Sequence, residues 1–193
     1  MCLLRFMAIA ISASLGMSAR AGAAQQTESH PLEIGFVVGH VTADGKDFSG
    51  TKGATGFSGT VRYIVHGHLG LGVGIHYSDH ALESVSPHLH IRVLYAEGRY
   101  LAPLRRSRVT VFGGPRGGWA HEDITSSTLR ADGWVLGGLA GLDWRFAPQL
   151  GAELQLSETA IHLGDLSGGG GVISGSKVSG SSFGIEAGFV VRF

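Results

Sequence analysis

Apolar and polar residues alternate with a period of two over many short stretches of the chain, and this pattern predicts β-strands rather than helices. The last such stretch runs from Ser182 to Phe193 and ends on an aromatic residue. Its apolar parity consists of Phe183, Ile185, Ala187, Phe189, Val191 and Phe193. An unpaired apolar edge strand promotes aggregation, whereas a barrel that faces lipid has no edge. The pattern therefore favours a membrane β-barrel over a soluble sandwich.

Seven earlier segments are also predicted as strands. They are Leu32–Val41, Thr55–Val65, Leu69–Ser78, His88–Leu101, Val109 to about Trp119, Gly133–Phe146 and Leu150 to about Ile161. The connections after the second, fourth and sixth strands are short, and the others are long. We expect an all-β fold: an eight-stranded antiparallel up-and-down transmembrane β-barrel with short periplasmic turns and long extracellular loops. Both termini would then be periplasmic. The Gly/Ser-rich loop from Gly164 to Gly180 is expected to be flexible.

The register of the fourth strand is ambiguous. Its first half places Leu89, Ile91, Val93 and Tyr95 on one parity, which is expected to face lipid. Glu97 and Arg99 then share that parity, although charged residues avoid the lipid face. The conflict predicts either a bulge or an early exit of the strand from the membrane near Ala96. If the upper register holds, Arg92 points into the lumen.

The N-terminal segment has the pattern of a secretory signal peptide. A short basic region is followed by an apolar run too short to span a bilayer and by small residues suited to cleavage. We predict a cleaved signal peptide at residues 1–23, a short periplasmic segment at 24–30 and the barrel domain at 31–193. Ala21-Gly22-Ala23 is the preferred cleavage motif, and Ala19-Arg20-Ala21 competes with it. Cys2 is removed with the peptide, so the mature chain has no cysteine.

Composition narrows the class of protein further. The chain has 32 glycines and only 16% charged residues, and it lacks an apolar run of about 18 residues, which argues against a helical membrane protein. Removal of Arg5 and Arg20 leaves 13 basic residues against 15 acidic ones. The resulting net charge, near minus two, does not favour nucleic acid as a partner.

Aromatic residues mark two levels along the predicted strands. Trp134 and Trp144 are ten residues apart on one face. At about 3.3 Å per residue and a tilt of about 40°, ten residues rise about 25 Å, the height of the apolar band of an outer-membrane barrel. The predicted outer girdle is Phe57, Tyr77, Trp119, Trp134 and Phe183, and the inner girdle is Tyr63, Trp144, Phe146 and Phe193. The three lysines of the chain, Lys46, Lys52 and Lys177, all fall in predicted outer loops.

The polar parity of several strands carries charges that would meet inside the barrel. These residues are Glu33, Arg62, Glu153, Glu186 and Arg192, with Asp143 and Arg145 of the sixth strand. Eight strands leave an interior just wide enough for side chains to fill it. We expect the acids and arginines to pair across the lumen and close it, because an isolated buried charge is costly. Gly35, Gly72, Gly151 and Gly188 would leave room for these long side chains.

The terminal aromatic strand resembles the C-terminal signature of bacterial outer-membrane β-barrels, and the whole pattern resembles the small OmpA and OmpX transmembrane families. The resemblance implies an outer-membrane location and recognition by the barrel assembly machinery through the strand ending at Phe193. It also implies contact with outer-membrane lipid and lipopolysaccharide. In these families the outer loops carry adhesion, surface protection or an envelope-bracing role. We therefore expect a monomeric structural or surface-interaction protein, with no catalytic, cofactor-binding or metal residues.

Three alternatives remain open. One is a narrow channel. Another is a metal site at the outer rim, where His76, His80, His88 and His90 cluster with His40, His121 and His162, although their spacing matches no ligand motif. The third is an enzyme acting on lipid, since His76-Tyr77-Ser78 resembles the His-x-Ser pattern of lipid A deacylase barrels. In those barrels the motif lies in later strands and is followed by Asn, whereas here Asp79 follows and both candidate side chains are expected to face the lumen.

Overall fold

The computed structural model describes residues 31–48, 51–65, 68–81, 88–105, 107–124, 129–168, 171–173 and 177–193. The predicted signal peptide at 1–23, the segment at 24–30, residues 66–67 between the second and third strands, and parts of the Gly/Ser-rich loop (169–170 and 174–176) lie outside the described residues. No helix in the described part of the chain has the length and apolar character needed to cross a bilayer.

The described chain forms strands and one short helix. The strands are β1 (Leu32–Asp44), β2 (Ala54–Val65), β3 (Leu69–Ala81), β4 (His88–Pro103), β5 (Val109–Ile124), β6 (Arg130–Arg145), β7 (Leu150–Leu163), β8 (Leu166–Gly168), β9 (Gly171–Ile173) and β10 (Val178–Arg192), and the 3-10 helix is Lys46–Phe48. Each of the seven predicted strands and the terminal stretch corresponds to one long strand. Most of the long strands extend further toward the outer rim than predicted, so the barrel rises above the outer aromatic girdle.

The eight long strands close into a barrel with antiparallel pairing throughout. Consecutive strands pair from β1 to β7, and β10 pairs with both β7 and β1. The seam between the first and last strands runs from Glu33↔Arg192 to Asp44↔Ser181. The eight-stranded up-and-down barrel is therefore confirmed. Within the loop predicted to be flexible, β8 and β9 form a small hairpin, and β8 pairs with the start of β6.

The outer surface of the barrel is an apolar band. Phe36, Val73, Leu94 and Phe189 are 54–64% exposed, an exposure expected of side chains that contact lipid. Both predicted aromatic girdles also face outward, with Trp119 at 56%, Trp144 at 54% and Phe193 at 57% exposure. Apolar exposure on this scale marks a surface that another apolar phase must cover.

The predicted bulge in the fourth strand is wrong. Pairing of β3 with β4 continues without interruption from Leu69↔Tyr100 to Ala81↔His88. Leu89, Ile91 and Tyr95 are 2–4% exposed and face inward, in one continuous register with Glu97 and Arg99. Arg92 consequently points outward instead of into the lumen, where its Nη2 lies 3.3 Å from Oδ1 of Asp123.

The reason for this error lies in the interior, whose two ends differ in polarity. Toward the chain termini it holds charged residues, and toward the outer rim it holds an apolar cluster. That cluster, here called the apolar cap, consists of Ala43, Phe48, Leu89, Ile91, Ala120, Ala131, Val135, Ile161 and Leu163. Because the cap faces inward, an apolar parity in the upper half of a strand does not identify the lipid face.

Candidate functional site: the filled lumen

The charged layer of the lumen is centred on Glu97 of β4. Its Oε1 lies 3.3 Å from Nε of Arg62 and 2.7 Å from Nε of Arg99, and its Oε2 accepts a hydrogen bond from Nη2 of Arg116 at 2.8 Å. The Glu97 side chain is 0% exposed, and the three arginine side chains are 2–7% exposed. One carboxylate therefore contacts three guanidiniums brought together by β2, β4 and β5.

Further pairs extend this network to the first and last strands. Glu33 accepts hydrogen bonds from Nη1 of Arg62 at 2.7 Å and from Nε of Arg192 at 2.8 Å. Arg192 also donates to Asp143. Arg99 donates through Nη1 to Glu153 at 2.8 Å. The Glu33 pairs join neighbouring strands, whereas Arg99 on β4 and Glu153 on β7 lie three strands apart, so that pair crosses the lumen.

Aromatic rings pack against the same guanidiniums. The Arg99 guanidinium carbon lies 4.4 Å from the centre of the Phe112 ring, and that of Arg116 lies 4.2 Å from the Tyr95 ring. A cation above an aromatic face is stabilised most where water is excluded. The network is thus packed as well as ion-paired.

The predicted lumen charges are only partly confirmed. Glu33, Arg62, Glu153, Asp143 and Arg192 meet in the network, as expected. Arg145 is half-buried at the end of the barrel and takes part in none of the ion pairs found among the described residues. The sequence interpretation missed three members, Glu97, Arg99 and Arg116. For two of them the sequence did contain a signal. Glu97 and Arg99 lie two residues apart in the middle of a strand, and charged side chains there face inward.

Glu186 is placed correctly in the lumen but does not pair with an arginine as predicted. It accepts hydrogen bonds from Oγ of Ser58 at 3.1 Å and from Nε2 of Gln155 at 2.7 Å. These neutral donors satisfy the carboxylate, so Glu186 belongs to a polar layer between the charged network and the apolar cap.

Ser58, His76 and Glu186 form a trio of the residue types used in nucleophilic catalysis. A catalytic relay needs the hydroxyl and the carboxylate on opposite nitrogens of the imidazole. Here Nδ1 of His76 lies 2.8 Å from the Ser58 hydroxyl oxygen and 3.7 Å from Oε1 of Glu186, so both partners meet the same nitrogen. Ser58 is also only 1% exposed. The trio fills space and satisfies polar groups but lacks the geometry of a relay.

His76 and Ser78, the candidates for lipid hydrolysis, both face the lumen as predicted. The hydroxyl of Ser78 lies 3.1 Å from Nε2 of His80, whose Nδ1 is 3.1 Å from the carbonyl oxygen of Lys52. Ser78 is 1% exposed, and His80 is 0% exposed. A lipid acyl chain on the outside of the barrel therefore has no route to Ser78 through the described residues.

The histidines of the outer rim divide between the two faces of the barrel. His76 and His80 point inward, whereas His88, His90 and His121 point outward. Nδ1 of His88 lies 2.8 Å from Oδ1 of Asp79, Nδ1 of His121 lies 2.7 Å from Oδ1 of Asp132, and Nδ1 of His90 lies 2.7 Å from the Tyr77 hydroxyl. Within the described ranges, no three His, Cys, Asp or Glu residues come together as a metal site.

The 3-10 helix after β1 contributes one residue to the apolar cap. Phe48 is 3% exposed and packs against β10 near Gly180. Asp47 fixes this helix by accepting a hydrogen bond from the backbone N–H of Ser179 at 2.9 Å. At Gly45 the backbone has a φ of 130°, which favours glycine. The start of the first loop is therefore held against β10, with the Phe48 ring in the cap.

Among the described residues, Glu122 is the acid that lies beside the cap. It is 7% exposed and flanked across the sheet by Ile91 and Ala131, and no described residue gives its Oε2 a hydrogen bond. It lies three residues beyond Trp119, above the part of β5 that crosses the membrane. Burial, reinforced by the neighbouring Asp123 carboxylate, raises the pKa of Glu122 to about 7. A neutral carboxyl is therefore compatible with the dry cap.

Comparison with known proteins agrees with this architecture. The family model of the outer membrane protein beta-barrel domain matches residues 9–193. No curated protein matches the chain. Among solved structures, Neisserial surface protein A is 15% identical with a TM-score of 0.70, and the match covers 86% of this chain and 98% of that one. This likeness supports the barrel fold alone.

Two further solved structures are more distant in shape. The N-terminal β-barrel domain of Pseudomonas aeruginosa OprF is 15% identical with a TM-score of 0.48, and the match covers 83% of this chain and 97% of that one. Ail, the attachment invasion locus protein of Yersinia pestis, is 16% identical with a TM-score of 0.44, and the match covers 82% of this chain and 95% of that one.

Proposed function

The chain belongs to the outer membrane protein beta-barrel domain family of the bacterial outer membrane, and on this premise we propose that it is a closed barrel whose role lies in its outer loops. The barrel acts as an anchor that holds these loops at the cell surface, for adhesion or another surface interaction. Lipopolysaccharide surrounds the barrel, and the barrel assembly machinery recognises its last strand. The protein works as a monomer.

The filled lumen is the observation that carries this proposal. The charged network, the polar layer and the apolar cap follow one another along the barrel axis. Arg99 and Glu186 are each 1% exposed in the lower layers, and Ala120 is 0% exposed in the cap. With the interior occupied, a partner outside the cell would bind the outer loops or the outer rim.

A narrow channel and an enzyme acting on lipid are the alternative functions. A channel requires water along its lining, and the described lumen residues are shielded from water. An enzyme requires a reachable nucleophile, and the lumen serines Ser58 and Ser78 are each 1% exposed. No observation on the described residues favours either alternative.

The folded protein should not conduct ions steadily. Reconstituted in a planar bilayer, it should give at most brief, small current steps, because the Glu97 network and the apolar cap both block the lumen. Large, steady conductance from the wild type would contradict the closed barrel. A variant with Phe48 and Ile91 both changed to alanine tests the cap separately, and it should still be closed by the charged layer.

The loops carrying lysine should be reachable from outside the cell. Lys46, Lys52 and Lys177 are the only lysines of the chain, and all three lie in loops at one end of the barrel. A membrane-impermeant amine-reactive biotin should therefore label the protein on intact cells.

The matched control replaces all three lysines with arginine, which keeps the charge but removes the reactive side-chain amines and leaves the N-terminal amine, which is expected to be periplasmic. This variant should lose the label while inserting normally. Labelling of the wild type only after the cells are lysed would show that these loops face the periplasm, and the proposed surface role would fail.

A further inference from the structure

Among the described residues, the rim of the barrel on the side of the chain termini carries a group of arginines. Arg105 and Arg108 are exposed in the turn after β4, and Arg145 is half-buried at the end of β6. The backbone N–H of Arg145 donates to the carbonyl of Arg108 at 2.8 Å, which continues the pairing of β5 with β6 and makes the two residues neighbours at the rim. The acid beside them, Asp143, is held by Arg192 inside the barrel. This sector of the rim therefore presents positive charge toward the membrane surface.

Arg108 connects this basic rim to the lipid-facing surface. Its Nη1 lies 3.5 Å from the carbonyl oxygen of Phe146. The Phe146 ring is 5.9 Å from the ring of Trp144, which belongs to the aromatic girdle at this end of the barrel. The guanidinium thus lies just beyond the girdle, at the level where lipid headgroups meet the barrel.

An apolar groove begins at the same tryptophan and lies on the outer face of β6, β7 and β10. Its volume is about 510 Å³. The floor is formed by the small side chains of Ala152 and Ala187, and the walls by Trp144, Leu142, Leu154 and Phe189. In the sheet, Ala152 stands directly between Trp144 and Phe189. A methyl group between two large rings leaves a notch in the apolar band.

We propose that the basic rim and the groove together form a binding site for an anionic phospholipid. The phosphate pairs with Arg105 and Arg108, and one acyl chain lies in the groove past Trp144. Guanidinium groups suit phosphate oxygens because they offer several N–H donors in a planar fork. The groove lies within the apolar band, so a lipid chain fills it.

The headgroup charge sets the selectivity of this site. The groove accepts the chain of any phospholipid, whereas a zwitterionic lipid brings an ammonium group close to the arginines. Each basic residue near an anionic membrane surface contributes roughly a fivefold preference. With two arginines, we expect an anionic lipid to be retained roughly ten- to thirtyfold better than a zwitterionic one.

Native mass spectrometry provides the test. The mature protein is folded into nanodiscs containing equal amounts of phosphatidylglycerol and phosphatidylcholine, and the lipids that stay bound after release are counted. The wild type should retain mainly phosphatidylglycerol. The double change Arg105→Gln and Arg108→Gln should reduce this preference to about twofold or less. Ala152→Leu, which fills the notch, should lower the number of retained lipids.

The control is Arg92→Gln, which removes an exposed arginine at the opposite rim and should leave the preference unchanged. Slower migration of boiled than of unboiled samples on gels verifies folding of each variant. Equal retention of the two lipids by the wild type would overturn the proposal. It would also fail if Arg92→Gln, and not the double variant, abolished the preference. In a third arm, lipid A replaces phosphatidylglycerol, and stronger retention of lipid A that survives the double variant would place the lipid site elsewhere.

Discussion

Changing Glu97 to alanine should destabilise the folded barrel by about 3–5 kcal/mol, the range found when one partner of a buried ion pair is removed. Glu97 faces Arg62, Arg99 and Arg116 within 3.3 Å, and its side chain is fully buried. Its loss would leave three guanidiniums at the centre of the lumen without their shared carboxylate. Urea unfolding in detergent micelles, followed by gel mobility or tryptophan fluorescence, measures the effect.

The matched control is Glu186→Ala. Glu186 is equally buried, but its described hydrogen bonds come from the neutral donors Ser58 and Gln155. We therefore expect a smaller loss, about 1–3 kcal/mol for the donors left unsatisfied. Equal losses for the two variants would mean that the arginines find other partners or water, and that Glu97 does not organise the network.

The architecture could be predicted from the sequence because a membrane barrel repeats one simple rule in every strand. Residues of the terminal stretch such as Ile185 and Phe189 face lipid, and the opposite parity faces the lumen. The ten-residue spacing of Trp134 and Trp144 supports this rule, because it matches the height of the apolar band. Strand number, pairing order and the two girdles follow from these local features.

The orientation of β4 could not be predicted in the same way. In the apolar cap the apolar parity faces the lumen and not the lipid. Leu89 and Ile91 look like lipid-facing residues, but they cover the mouth of the lumen from inside. Only partners distant in sequence, such as Phe48 and Ile161, show why an apolar interior is stable there. Within β4 itself, only the charges of Glu97 and Arg99 indicate that this parity faces inward.

The sequence also could not predict which of the lumen charges pair with one another. Parity placed Glu186 and Arg62 inside, but their heights along the barrel axis depend on the register of eight strands. In the folded barrel, Glu186 lies level with Ser58 and Gln155, and the arginines lie nearer the termini. The sequence predicts which charges enter the lumen, whereas the relative stagger of the strands decides which of them meet.

Deleting Phe193 should prevent most of the protein from inserting into the outer membrane. Its backbone N–H donates to the carbonyl of Leu32 at 2.9 Å, so the last residue takes part in the seam that closes the barrel. Its side chain is 57% exposed and faces lipid. The deletion removes both a hydrogen bond between the first and last strands and the terminal aromatic ring that the assembly machinery is expected to recognise.

Two substitutions separate these effects. Phe193→Asp keeps the backbone bond, and a carboxylate near the membrane interface costs the folded barrel less than about 1 kcal/mol. Phe193→Tyr keeps the bond and an aromatic ring. If the ring is an assembly signal, the Asp variant should accumulate unfolded in cells while it still folds in detergent, and the Tyr variant should insert like the wild type. Normal insertion of the Asp variant in cells, measured by fractionation and by the mobility of unboiled samples, would show that Phe193 serves the seam alone.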